Sequence, residues 1–226
     1  MITVWRIALD AARPPGADEL AILSEVERAR AARFMRDTDR NRWLRAHVAT
    51  RRILGEALGA DPQAIEFGAG KSGKPSVASP GDSGLEFNLS DSGDLALLAL
   101  SRVGPVGVDV EHVRPLTDME AIAESHFAVE ERADLLALPE SERLDGFYRL
   151  WTRKEAYIKA LGTGLGHALD RFVVTIEPDD VRFVHLDGDV DVARTWALRA
   201  IPVPTGYFGA LAVRRDEISV DVLDVH

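Results

Sequence analysis

Six alternating residues, Val106-Gly107-Val108-Asp109-Val110-Glu111, constrain this chain of 226 residues more than any other stretch. A period of two is the strand period, so Val106, Val108 and Val110 face one way and Gly107, Asp109 and Glu111 the other. Side chains two apart on a strand are rooted roughly 6.5 to 7 Å from each other. Two carboxylates at that spacing can converge on one hard cation, and the glycine beside them leaves room for a ligand. The geometry suits Mg2+. The plain alternative is a half-solvated antiparallel strand with polar residues outward, because paired surface acids need no metal.

A second stretch bears on that choice. From Ser141 to Gly162, the residues Leu144, Phe147, Tyr148, Trp151 and Ile158 recur at helical spacing, and Gly162 is a natural stop. Glu155 lies on this apolar stripe, one turn after Trp151 and one turn before Lys159. A carboxylate on the buried side of an aromatic helix is costly unless it is paired or bound to metal. Either it pairs with Lys159 at i,i+4, worth ~0.2 to 0.5 kcal/mol, or it is bound to a metal.

Taken in order, these blocks resemble the 4'-phosphopantetheinyl transferases of the surfactin-synthetase type. That family carries an alternating G-x-D-x-E strand and then W-x-x-K-E-A-x-x-K-x-x-G on a helix; here Lys154 of Trp151-Thr152-Arg153-Lys154-Glu155-Ala156 follows Glu111 by 43 residues. Upstream, Gly73-Lys74-Pro75 is similar to the family's G-K-P turn and Phe87-Asn88-Leu89-Ser90 to its F-N-x-S-H-S strand end. The four blocks cover most of residues 70 to 166.

The resemblance implies an α+β fold of two similar halves, residues 1–104 and 105–226, related by a pseudo-twofold with the site at their junction. It implies transfer of 4'-phosphopantetheine from coenzyme A to a serine of an apo acyl or peptidyl carrier protein, with release of 3',5'-phosphoadenosine. Asp109, Glu111 and Glu155 are then the Mg2+ ligands and Glu155 the candidate base. Lys159 neutralises the leaving group with help from Lys154, while Lys74 and Ser90 contact the nucleotide end of the cofactor. One departure is visible: Asp91 stands where the family has a histidine that helps to hold a phosphate. An acid there implies weaker coenzyme A binding and opens an alternative, a catalytically impaired module that binds coenzyme A or a carrier protein. A magnesium-dependent pyrophosphate hydrolase is a third reading.

Charge distribution adds a candidate surface. The formal charge of −10 argues against general nucleic-acid binding. Between Arg28 and Arg52, however, nine arginines meet two acids, a local +7 that leaves −17 for the rest. This is either a solvated arginine-rich face or an anion patch, with Arg42 and Arg45 its candidate contacts to coenzyme A phosphates or to an acidic carrier protein. The chain prefers Arg to Lys by 23 to 4, yet Lys71, Lys74, Lys154 and Lys159 all fall in the motif blocks. A compact ammonium serves a single phosphate oxygen where a planar fork is too large.

Other chemistries are excluded. With no cysteine there are no disulfides, thiolate nucleophiles or cysteine zinc sites. The six histidines show no pair at metal-binding helical spacing. Gly68 to Lys74 nearly matches a phosphate loop, but Pro75 occupies the position of the metal-binding Ser or Thr. No apolar run is long enough to span a membrane and no secretory start is visible, so a monomeric cytoplasmic protein is expected.

Periodicity predicts an opening strand over 2–9, helices over 18–59, and short strands near Ile65 and over 85–89. A strand over 94–101 leads through a turn to the acid strand. Helices over 117–138 and 141–161 follow, then strands over 172–176, 181–186, 195–200, 207–213 and 218–223. The Ser-, Pro- and Gly-rich segment 75–84 is expected to be the mobile one.

Overall fold

The computed structural model describes residues 2–70, 73–81, 84–163, 168–216 and 218–225. Lys71, His167 and the Gly164-Leu165 end of the helix motif lie outside the described residues.

The first half runs from β1 (Ile2–Ala8) through helices α1 (Ala17–Ala21), α2 (Glu25–Ala31) and α3 (Asp37–Leu58). A hairpin of β2 (Glu66–Ala69) and β3 (Pro75–Ser79) follows, then β4 (Glu86–Ser92) and β5 (Leu95–Ser101). Some of the segment expected to be mobile is thus an ordered strand: β3 pairs antiparallel with β2. The second half opens on the acid strand β6 (Val106–His112). It continues through α4 (Met119–His126), α5 (Val129–Ala137) and α6 (Glu140–Leu161), then β7 (Phe172–Val174) and β8 (Phe183–Leu186). The short helix α7 (Val190–Arg194), which the periodicity does not signal, precedes β9 (Ala197–Ala200), β10 (Tyr207–Val213) and β11 (Val220–Val225).

The fold is α+β, with small sheets packed against helices. One sheet has the order β11-β1-β5-β4 and a second the order β6-β10-β9. β11 runs across the expected division at residue 104: it follows the second half in sequence and lies parallel along β1, completing the first sheet. The bridge from Arg6 to Asp224, with both nitrogen–oxygen distances 2.8 Å, fastens it there.

Strand parity assigns every layer. Val4, Leu95, Leu97 and Ala99 meet Val106, Val108, Val110, Leu211 and Val213 in an apolar seam between the two sheets. The alternate residues Ile7, Ala96, Leu98 and Leu100 face Ala46, Ala49, Ile53 and Leu54 of α3. Ala210, Ala212 and Leu198 on the far side of the second sheet pack under α6 with Phe147, Tyr157 and Ile158. The order through the molecule is therefore helix, sheet, sheet, helix, which brings the acid strand to the middle.

Candidate active site

Gly107 is what brings α6 onto β6. A side-chain carbon built there would lie 2.1 Å from the Ala156 carbonyl oxygen and 2.2 Å from the Ala160 nitrogen, so only glycine admits this approach. The half-solvated alternative for the acid strand fails, since Val106 through Val110 are buried on both faces. With α6 this close, Lys159 reaches across to Asp109 and the Nζ to Oδ1 distance is 2.6 Å. Glu155, one turn earlier, makes no ion pair with Lys159 among the described contacts, although the ammonium does pull its carboxyl pKa down.

Asp109 is 3% exposed. Its Oδ1 accepts from Lys159 and, at 2.9 Å, from the Ser90 hydroxyl. Its Oδ2 is buried without a hydrogen-bond partner, and so is Oε1 of Glu155. Glu111 accepts a 2.8 Å bond from the Ser92 hydroxyl. Burial pushes all three carboxyls above their ordinary values. Asp109 is drawn back by Lys159, whereas Glu155 is raised further by the charges of Asp109 and Glu111. These three acids feel one another across the strand–helix contact.

Buried carboxylate oxygens without donors are expensive, and a hard cation is the partner that oxygen donors of this kind accept. The donor set therefore fits Mg2+. Among the described residues no three acid or histidine side chains already close on a common point.

The remaining expected residues divide. Lys159 is at the acid cluster. Lys154 is not: it is fully buried, its ammonium 2.7 Å from Glu131 and donating to the Leu169 and Phe172 carbonyls, with the Phe172 ring 4.1 Å away. With all its protons engaged inside the protein, this ammonium lends no support to the expected coenzyme A contact. Ser90 is similarly committed, accepting from Val110 N and Lys159 while donating to Asp109. Lys74 donates to the Val106 carbonyl at 2.8 Å, tying the region of the β2–β3 hairpin to the start of the acid strand.

Asp91 is exposed and lies on the face of β4 opposite Ser90 and Ser92. Arg42 pairs with Asp94 at 2.9 Å and Arg45 donates to the Asp10 and Arg13 carbonyls. Both arginines are partly engaged in holding α3 to the segments around Asp10 and Asp94. Sequence reasoning missed Ser92 and Glu131. The first was legible within Asn88-x-Ser90-x-Ser92, three polar side chains on one strand face. The second carried no signal of its own.

A profile described as the 4'-phosphopantetheinyl transferase superfamily matches residues 105–205, and one described as the N-terminal region of 4'-phosphopantetheinyl transferase matches residues 17–102. The 4'-phosphopantetheinyl transferase HetI of Nostoc sp. is 34% identical over 213 residues, 94% of this chain and 87% of that protein. The 4'-phosphopantetheinyl transferase Sfp of Bacillus subtilis is 30% identical over 223 residues, 97% of this chain and 95% of its own length.

Proposed function

The chain belongs to the 4'-phosphopantetheinyl transferase superfamily, and on that premise we propose that it transfers 4'-phosphopantetheine from coenzyme A to a serine of an apo acyl or peptidyl carrier protein, with Mg2+ on Asp109, Glu111 and Glu155. In this reading the serine oxygen bonds to the phosphorus that carries the pantetheine arm. The bond between that phosphorus and the bridging oxygen breaks, and 3',5'-phosphoadenosine leaves with the electron pair. The serine proton passes to Glu155, the candidate general base. When bound, Mg2+ withdraws charge from the pyrophosphate and helps to orient it. Lys159, which reaches into the site from α6, neutralises charge on the leaving phosphate. Positioning and electrostatics suffice for phosphoryl transfer of this kind, and no covalent enzyme intermediate is needed.

The observation that carries the reading is the pair of buried, partnerless carboxylate oxygens on facing elements, Asp109 Oδ2 and Glu155 Oε1, beside the Lys159 ammonium. The test is a mass measurement. Purified protein, Mg2+, coenzyme A and a panel of apo carrier proteins should yield the phosphopantetheine mass gain on at least one carrier. Phosphopantetheine released without any carrier selects a pyrophosphate hydrolase, and coenzyme A bound without turnover selects the impaired binder. The outward position of Asp91, away from the acids, gives that last reading little support.

A further inference from the structure

The acid strand is an edge strand. Among the described residues β6 pairs with β10 on one side only, and the amide groups of Val108, Val110 and His112 point to the open side. An open strand edge normally invites another strand or is covered. Here it is closed by side chains. Asn88 Oδ1 accepts from Val108 N at 2.8 Å, Ser90 Oγ from Val110 N at 3.3 Å and Ser92 Oγ from His112 N at 3.1 Å. Three residues spaced by two along β4 thus meet three residues spaced by two along β6.

The serines do a second thing that the asparagine does not. A hydroxyl has one proton, and a serine oxygen already accepting from a backbone amide directs that proton elsewhere. Ser90 gives it to Asp109 Oδ1 and Ser92 gives it to Glu111 Oε2, at 2.9 and 2.8 Å. The two serines therefore stand in the same relation to β6, each bridging the carboxylate of one residue and the amide of the next. The link fixes each acid against its own strand and determines which of its oxygens is engaged. For Asp109 the other oxygen is the buried one without a partner.

We propose that Ser90 and Ser92 are positioning residues for a divalent cation: by anchoring one oxygen of each acid to the backbone-locked hydroxyl, they hold the other for the metal. This rests on the metal assignment above. Partners that orient metal-ligating carboxylates typically alter metal affinity or activity roughly ten- to hundredfold when removed. Ser92 is the cleaner test because it touches Glu111 without touching Lys159.

The experiment measures Mn2+ binding by titration calorimetry, or by the spin-resonance signal of free Mn2+, in wild type, Ser92→Ala, Ser92→Thr and Asn88→Ala. Threonine keeps the hydroxyl. Asn88→Ala removes an edge acceptor that touches no acid, so it isolates the loss of strand support. The expected result is Mn2+ affinity lowered roughly ten- to hundredfold in Ser92→Ala, restored in Ser92→Thr, and unchanged in Asn88→Ala despite a lower Tm. The metal concentration for half-maximal transfer should shift in parallel, with kcat at saturating metal changing less. Ser92→Ala that binds Mn2+ as wild type does, losing only thermal stability, overturns the proposal while leaving the metal reading intact. A wild type that binds no Mn2+ overturns both.

Discussion

Helices α3 and α6 each run 22 residues and each stop on a left-handed glycine, Gly59 and Gly162. The fifteenth residue of each is a buried cation, Arg51 in the first and Lys154 in the second. Each cation meets the third residue of the helix just before it: Arg51 meets Glu27 of α2 at 2.8 Å, and Lys154 meets Glu131 of α5 at 2.7 Å. Both glutamates also accept from their own N-cap amides, Ser24 and Ala128. Both cations donate onward to carbonyls of the departing chain, Pro62 and Ile65 in one half, Leu169 and Phe172 in the other. The halves diverge at the very next residue. Where α6 has Glu155 and then Lys159, α3 has Arg52 and then Glu56, the charges reversed. The way a long helix is braced is common to both halves, whereas the acid cluster belongs to the second.

The largest expected effect tests that asymmetry directly. Asp109→Ala or Glu155→Ala should cut transfer on the order of a thousandfold or more, since a Lewis-acid contribution of several kcal/mol corresponds to that factor. Arg52→Ala, at the matching position of α3, should leave kcat/KM for coenzyme A near wild type. Steady-state kinetics of the three variants decide it. Near-normal turnover in either acid variant removes the metal assignment, and a comparable loss in Arg52→Ala breaks the contrast between halves.

Next in size are the two braces. Removing one partner of a buried ion pair leaves an uncompensated charge and costs about 3 to 5 kcal/mol. Lys154→Met and Arg51→Met should each lower Tm by roughly 6 to 20 °C for a chain of this length. Replacing Lys154 and Glu131 together with apolar residues should cost less than Lys154→Met alone. The informative readout is transfer per folded molecule below the transition, which Lys154→Met should largely retain. A variant that is stable but does not transfer would return Lys154 to the cofactor.

The burial of Lys154 against Glu131 shows how far the sequence was legible. Alternation placed Asp109 and Glu111 on one face, and helical spacing placed Glu155 and Lys159 one turn apart, because both periods are local. Lys154 misleads for the opposite reason. A motif lysine beside a motif glutamate looks alike in one dimension whether it points to solvent or to a core, and its partner Glu131 is 23 residues away. Nor does anything near residue 220 announce that β11 crosses back to β1, a pairing 218 residues long. Long-range pairings of that sort are set by which edge is open after the rest has packed. Ser92 is visible as a polar residue, but its role depends on β6 presenting an unpaired edge.

The braces also differ in how they respond to acid. Burial pushes the Glu131 carboxyl up against the pull of Lys154. Glu27 also feels burial, but the neighbouring His47 ring, hydrogen bonds from Ser24 and the charge of Arg51 outweigh it, lowering its pKa to about 2 from an ordinary 4.5. A carboxyl whose pKa is depressed on folding contributes stability that is complete above the unfolded value and is lost as pH falls through the folded one. The contribution of Glu27 should therefore be whole above pH 4.5 and drain away toward pH 2. Urea unfolding of wild type and Glu27→Gln at steps between those limits should show a gap of roughly 2 to 3 kcal/mol that narrows on acidification. A gap independent of pH would mean that Glu27 acts by packing alone.

The smallest effect belongs to Asp91, where sequence and structure pull apart. Standing in the place of a phosphate-holding histidine, an acid is expected to weaken coenzyme A binding. The position in space moderates that expectation, because Asp91 is exposed and on the α3 side of β4, turned from the serines that hold the acid strand. Two unit charges 4 Å apart interact by only about 1 kcal/mol in water, against about 4 kcal/mol near a protein surface with an effective dielectric of 20. For a solvated Asp91 the first figure applies, and it corresponds to roughly fivefold in binding. Asp91→His should thus lower KM for coenzyme A by no more than roughly fivefold and leave kcat unchanged. The difference should shrink as ionic strength rises and the Debye length falls below about 10 Å. A salt-insensitive gain of a hundredfold would place the residue in a desolvated contact with the cofactor, showing that the β4 end rearranges when coenzyme A binds.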